Sequence, residues 1–126
     1  MNIEKQVVSL ELAKQLKDAG YPQEGLWWWT NRMGRFRIVS DVPHTQYVTD
    51  IYYAAPTVAE LGEKIKGVCF SWYGTYVKDN ECWYVFWAED TQSFRDKQWI
   101  TDADTEANAR AKMWLYLKKE GLLENK

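Results

Sequence analysis

Few side chains in this sequence could carry covalent, acid–base or metal chemistry. Among 126 residues there is one histidine, His44, and two cysteines, Cys69 and Cys82. His44 follows Pro43 in a connecting segment, without a Gly-x-Ser-x-Gly elbow for it to activate. A lone loop histidine reads as a turn residue rather than a general base. One His and two distant Cys cannot complete the four ligands of a zinc site, and the chain has no Cys-x-x-Cys pair. Asp102, Asp104 and Glu106 resemble the donors of a hard cation. They also stand where a helix N-terminus attracts carboxylates, and that reading is favoured. Neither a Gly-x-Gly-x-x-Gly turn nor a Walker pattern is present to cradle phosphate. The expectation is a protein that is not an enzyme and holds no metal or cofactor.

The aromatic content is what stands out: eight Trp, eight Tyr and four Phe make 16% of the chain. Trp27, Trp28 and Trp29 are consecutive, and in a strand they must point to alternate faces, so one core cannot take all three. Arg32, Arg35 and Arg37 follow closely. Arginines beside aromatic platforms are the ingredients of a single-stranded nucleic-acid or nucleotide site. Against this, Glu24 and Asp41 flank the cluster and the net charge is -2, which favours a solvated hairpin tip. Trp and Tyr also dominate protein-binding hot spots, because they bury large areas at small entropic cost. The other outlet for so many rings is a sheet covered on both faces by helices, and composition does not choose between the two.

These residues need elements to place them, and 126 residues make one domain, spanning 1–126. Ser9 caps a first helix with Leu12, Leu16 and Ala19 on one stripe, stopped at Gly20 and Pro22. Two β-rich runs flank the Arg32–Arg35 turn as a hairpin, and a third covers 46–53. Thr57 and Glu60 form a capping box for a short second helix. A second hairpin joins 68–77 to 82–89, and 90–100 is either an edge strand or a loop. A last helix starts near Thr105, presents Ala109, Met113, Tyr116 and Leu117, and stops at Gly121. The order α-β-β-β-α-β-β-(β)-α predicts an α+β fold: an antiparallel sheet of five to six strands with three helices packed on it.

A four-residue turn over 78–81 would set Val77 opposite Cys82. One face of that hairpin then carries Phe70, Trp72, Tyr76, Trp83, Val85 and Trp87, and is the core. The other carries Tyr73, Tyr84 and Phe86 among Ser71 and Thr75. That patch faces away from the core and suits a protein partner or a two-fold homodimer. The same register sets the two cysteines too far apart to bridge.

The charged N-terminus lacks the apolar region of a signal peptide, and the longest apolar run, Cys82–Ala88, is far too short to cross a membrane. A cytoplasmic protein with free thiols is expected, with no membrane partner. Three stretches carry a resemblance: Ser9-Leu10-Glu11-Leu12-Ala13-Lys14-Gln15-Leu16 with Gly20-Tyr21-Pro22-Gln23, then Ala55-Pro56-Thr57-Val58-Ala59-Glu60-Leu61-Gly62-Glu63, and Ala103 to Met113. Together they resemble a family of small uncharacterised phage and prophage proteins, in which the position of Asn108 is often acidic. The resemblance implies a mobile-element origin and action by binding host or phage components, and it brings no site residues with it.

Overall fold

The computed structural model describes residues 3–31, 34–40, 51–65, 67–74, 81–88 and 98–123. The helices form where the capping chemistry places them. Helix α1 (Leu10–Asp18) starts at Ser9, whose hydroxyl accepts from the Leu12 amide at 3.3 Å, and buries Leu12, Ala13 and Leu16. Beyond it Gly20 adopts a positive φ and the Tyr21 amide returns to the Leu16 carbonyl at 2.8 Å, closing the helix end. Helix α2 (Val58–Lys64) opens on the full Thr57–Glu60 capping box. Helix α3 (Glu106–Lys119) opens on Thr105 and ends with the Leu122 amide on the Leu117 carbonyl. Alanines 107, 109 and 111 let its N-terminal half approach its neighbours closely, and all three are buried.

Among the described residues, six strands complete the α+β architecture in the expected order. They are β1 (Trp28–Thr30), β2 (Arg37–Val39), β3 (Tyr52–Ala54), β4 (Val68–Gly74), β5 (Cys82–Ala88) and β6 (Gln98–Ala103). Of the segment 90–100, which the sequence left as strand or loop, residues 98–100 open β6, and 90–97 lie outside the described residues. The strands are shared between two antiparallel three-stranded sheets, β2-β1-β3 and β4-β5-β6, instead of forming one continuous sheet. One core serves both. Val85 and Trp87 from the second sheet meet Leu12, Leu16, Leu61, Met113 and Leu117 from the helices, and Trp29 and Tyr53 of the first sheet pack on the same cluster.

The register of the second hairpin departs from expectation. Gly74 faces Cys82 and Tyr73 faces Trp83, so β4 is displaced by three positions; residues 75–80 lie outside the described residues. An odd displacement exchanges the two faces of a strand. Phe70 and Trp72 consequently leave the helix-facing side, and Cys69, Ser71 and Tyr73 join Trp83, Val85 and Trp87 there. The reason lies in α3. Arg110 reaches across this face, donating from Nε to Ser71 Oγ at 3.0 Å and from Nη1 to Cys69 Sγ at 3.9 Å, with Glu106 3.7 Å away. Small polar side chains leave room for that guanidinium, and a Phe and a Trp in their places would not.

Both cysteines are free, as expected, on different grounds. Cys69 pairs with Trp87, five positions along β5 from Cys82, which at ~3.4 Å per residue is roughly 17 Å, on opposite faces. Burial pushes the Cys69 thiol up, against the opposing pull of Arg110, so it packs as a neutral group.

Asn108 fastens the start of α1 to the start of α3. Its Oδ1 accepts from the Ser9 amide at 2.8 Å, its Nδ2 donates to Asp104 Oδ1 at 3.2 Å, and its own amide donates to Thr105 Oγ1. Asn108→Ala leaves a part-buried amide unpaired and is expected to cost about 1–2 kcal/mol in a denaturant melt. Asn108→Asp keeps the acceptor for Ser9 but faces Asp104 with a second carboxylate in place of the Nδ2 donor, so it should recover only part of that loss. Equal losses in the two variants would show that the Ser9 contact is not what matters.

Candidate functional site

Helix α3 covers one face of β4-β5-β6, and the other face presents aromatic side chains. Alternation along three adjacent strands sets Phe70, Phe86 and Ile100 in one cross-strand row and Trp72, Tyr84 and Asp102 in the next. Within this surface Phe70 stacks on Phe86 with centroids 5.0 Å apart, and Trp72 lies 5.7 Å from Tyr84 and 6.2 Å from Phe86. Burial is graded across it. Tyr84 is wholly buried and Phe86 half-buried, whereas Phe70 and Trp72 keep 41% and 40% of their surface in water and Ile100 is exposed beside them. The result is an apolar surface of large rings, rigid because each ring is fixed by its cross-strand neighbour.

Of the three sequence-derived binding residues on this hairpin, the register relocates one. Phe86 lies on the outer face as expected. Tyr84 lies there too, but beneath its neighbours, so it supplies no exposed area. Tyr73 belongs to the opposite face, where it packs on Trp83 at 5.4 Å at the sheet's end and is half exposed. Phe70, Trp72 and Ile100 are the surface residues that sequence reasoning missed. Phe70 and Trp72 were hidden by one assumption about loop length, and Ile100 by the open choice between strand and loop over 90–100.

The tryptophan run alternates as its strand setting requires. Trp29 packs towards the core and its indole N–H donates to the Val8 carbonyl at 3.0 Å. Trp28, on the other face, donates to the Gly25 carbonyl at 3.1 Å. Trp27 is half-buried, and its carbonyl accepts from the Ala55 amide. The register sets Trp28 opposite Val39 and Trp29 opposite Ile38, while Arg37 lies opposite Thr30. Arg35 and Arg37 are exposed, and the structure brings neither into ring contact with the tryptophans among the described residues; Arg32 lies outside those residues. Two lysines of α1 instead take the neighbouring rings: Lys14 Nζ is 5.4 Å from the Phe36 centroid and Lys17 Nζ is 5.2 Å from that of Tyr53.

His44 also lies outside the described residues. Among the described residues no group of three or more His, Cys, Asp or Glu side chains could hold a metal ion. Asp104 is engaged by Asn108, and Glu106 sits by Arg110 one helical turn on, the local work of a helix start. No described helix is long and apolar enough to cross a membrane. Searches for similarity to protein-family models, curated proteins and solved structures gave no match.

Proposed function

We propose that this protein works by binding another protein through the outer face of β4-β5-β6, without catalytic chemistry of its own. The observation that carries the reading is the shared exposure of Phe70, Trp72 and Ile100 on one sheet face opposite the helix layer. Exposed rings that are already ordered lose little entropy on binding, which is why such residues concentrate binding energy. The face can meet a host or phage protein, or its own copy about a two-fold axis, which would make a homodimer. We read it as an accessory protein of a bacterial cytoplasm, as the resemblance of 9–16 with 20–23, 55–63 and 103–113 to small phage proteins implies.

The test compares the wild-type chain with Phe70→Ala/Trp72→Ala as immobilised baits, alongside light scattering on a sizing column. A protein retained by the wild type and lost by the double variant, or a dimer of the wild type that the double variant dissolves, supports the reading. A monomer whose captured proteins are unchanged by the substitutions defeats it. A short single-stranded oligonucleotide that quenches tryptophan fluorescence in a salt-sensitive manner would move the function to Trp28, Arg35 and Arg37.

A further inference from the structure

Away from the aromatic face, the turn after α1 carries Tyr21 inward, its ring edge-on to Trp114 with centroids 5.0 Å apart. Tyr21 is only 3% exposed. Its backbone is fully used: the amide donates to Leu16 and the carbonyl accepts from Gln23 Nε2 at 3.0 Å. Its hydroxyl has no hydrogen-bond partner among the described residues. The ring is enclosed, and the hydroxyl at its tip opens on a cleft.

The tyrosine lines a cleft of about 230 Å³ together with Glu24, Gly25, Glu60, Glu63 and Lys64. Lys64 is taken at the rim, where its Nζ is 2.7 Å from Glu24. Glu60 is divided between two tasks. Its Oε1 accepts from the Thr57 amide at 2.9 Å in the capping box, and its Oε2 is turned towards Gly25. Gly25 adopts φ +120°, and a Cβ there would stand 2.9 Å from that oxygen, so the missing side chain is what keeps this corner open. Oε2 accepts no hydrogen bond among the described residues. Burial first, then the charges of Glu60, Glu24 and Glu63, push the Tyr21 phenol well up, so the hydroxyl stays protonated and lies within reach of all three carboxylate fields.

We propose that this cleft binds an organic cation, an alkylammonium or guanidinium group whose N–H donors reach Glu60 Oε2 and the Tyr21 hydroxyl oxygen. Three carboxylates against one lysine repel anions, and a neutral ligand would leave their charge unanswered. The side chains do not form a group that could hold a metal ion, whereas the several donors of an organic cation can meet separated acceptors. The cation can be a free amine or the Lys or Arg side chain of another protein. Neither source depends on the aromatic face.

The ¹H–¹⁵N spectrum of the full chain, titrated with butylammonium, butylguanidinium and a capped peptide with one central lysine, tests this. Saturable shifts at the Gly25 and Glu60 amides in the millimolar range are expected. Shifts with the peptide alone assign the cation to a partner's side chain, and shifts with the small cations show that a free amine suffices. Tyr21→Phe keeps the ring on Trp114 and should weaken binding about tenfold, the worth of one hydrogen bond near charge. Glu60→Gln preserves the capping box while removing the charge, and should weaken it at least as much. Glu11→Gln, on the exposed face of α1, should change nothing. Equal shifts from pentanol or a norleucine peptide, no shifts at all, or affinities unaltered in Tyr21→Phe and Glu60→Gln would overturn the proposal.

Discussion

Trp87→Ala is expected to destabilise the fold by about 3–5 kcal/mol in denaturant melts with unchanged slope. The indole sits one residue from the C-terminal end of β5, 2% exposed, where both sheets and the helices share their core. Its edge lies against Gly67, whose φ is +106°; a Cβ on that glycine would come within 2.7 Å of the indole nitrogen and of the Ala88 carbonyl oxygen. Backbone this close on one side cannot move in to fill the space left by alanine, so the cavity term adds to the lost transfer energy. Trp83 occupies the same face two rows away but is only half-buried, against Tyr73. Trp83→Ala should cost about 1–2 kcal/mol, although alternation along the strand makes the two tryptophans look equivalent. Equal losses would mean that the two ends of β5 are equally dry.

That contrast shows what the sequence can and cannot convey. Helix starts and stops were legible because they are local: Ser9, Thr57 and Thr105 each bond an amide three residues on, and Gly20 and Gly121 release the chain at the far end. The inward side of β5 was legible too, since Trp83, Val85 and Trp87 mark it whatever their partner does. The register of β4 was not. It depends on how many residues the connection takes, and one odd error inverts every side chain of the strand. What fixes it is Arg110, some forty residues further on, whose need for Ser71 and Cys69 leaves no local trace. The division into two sheets is likewise set by how three helices fill the space between them. The cleft at Tyr21 was invisible for the same reason: Glu60 reads locally as a cap, and only the tertiary fold brings Tyr21 and Gly25 to its second oxygen.

Glutamate placed at two adjacent positions of the aromatic face should produce opposite phenotypes. Tyr84 and Trp72 are direct cross-strand partners with rings 5.7 Å apart, yet one is fully enclosed and the other is 40% exposed. Tyr84→Glu encloses a carboxylate opposite the cross-strand Asp102, and should cost about 4 kcal/mol or more at neutral pH. Part of that loss should be recovered as the pH falls and the carboxyl is protonated. The sign follows from linkage: enclosure raises the folded-state pKa of such a group above its unfolded value, so the folded form gains protons preferentially at lower pH. Trp72→Glu can turn its charge to water, loses only part of one ring's contacts, and should cost about 1 kcal/mol. It should nonetheless abolish any association through this face, because a charge enclosed by a partner is left uncompensated. Melts of both variants across pH, with light scattering on the folded one, read the two effects separately. If Tyr84→Glu melts like the wild type, the ring is not enclosed and the outer face is broader than Phe70, Trp72 and Ile100. If Trp72→Glu unfolds the chain, the outer face is structural, and the reading of it as a binding surface fails.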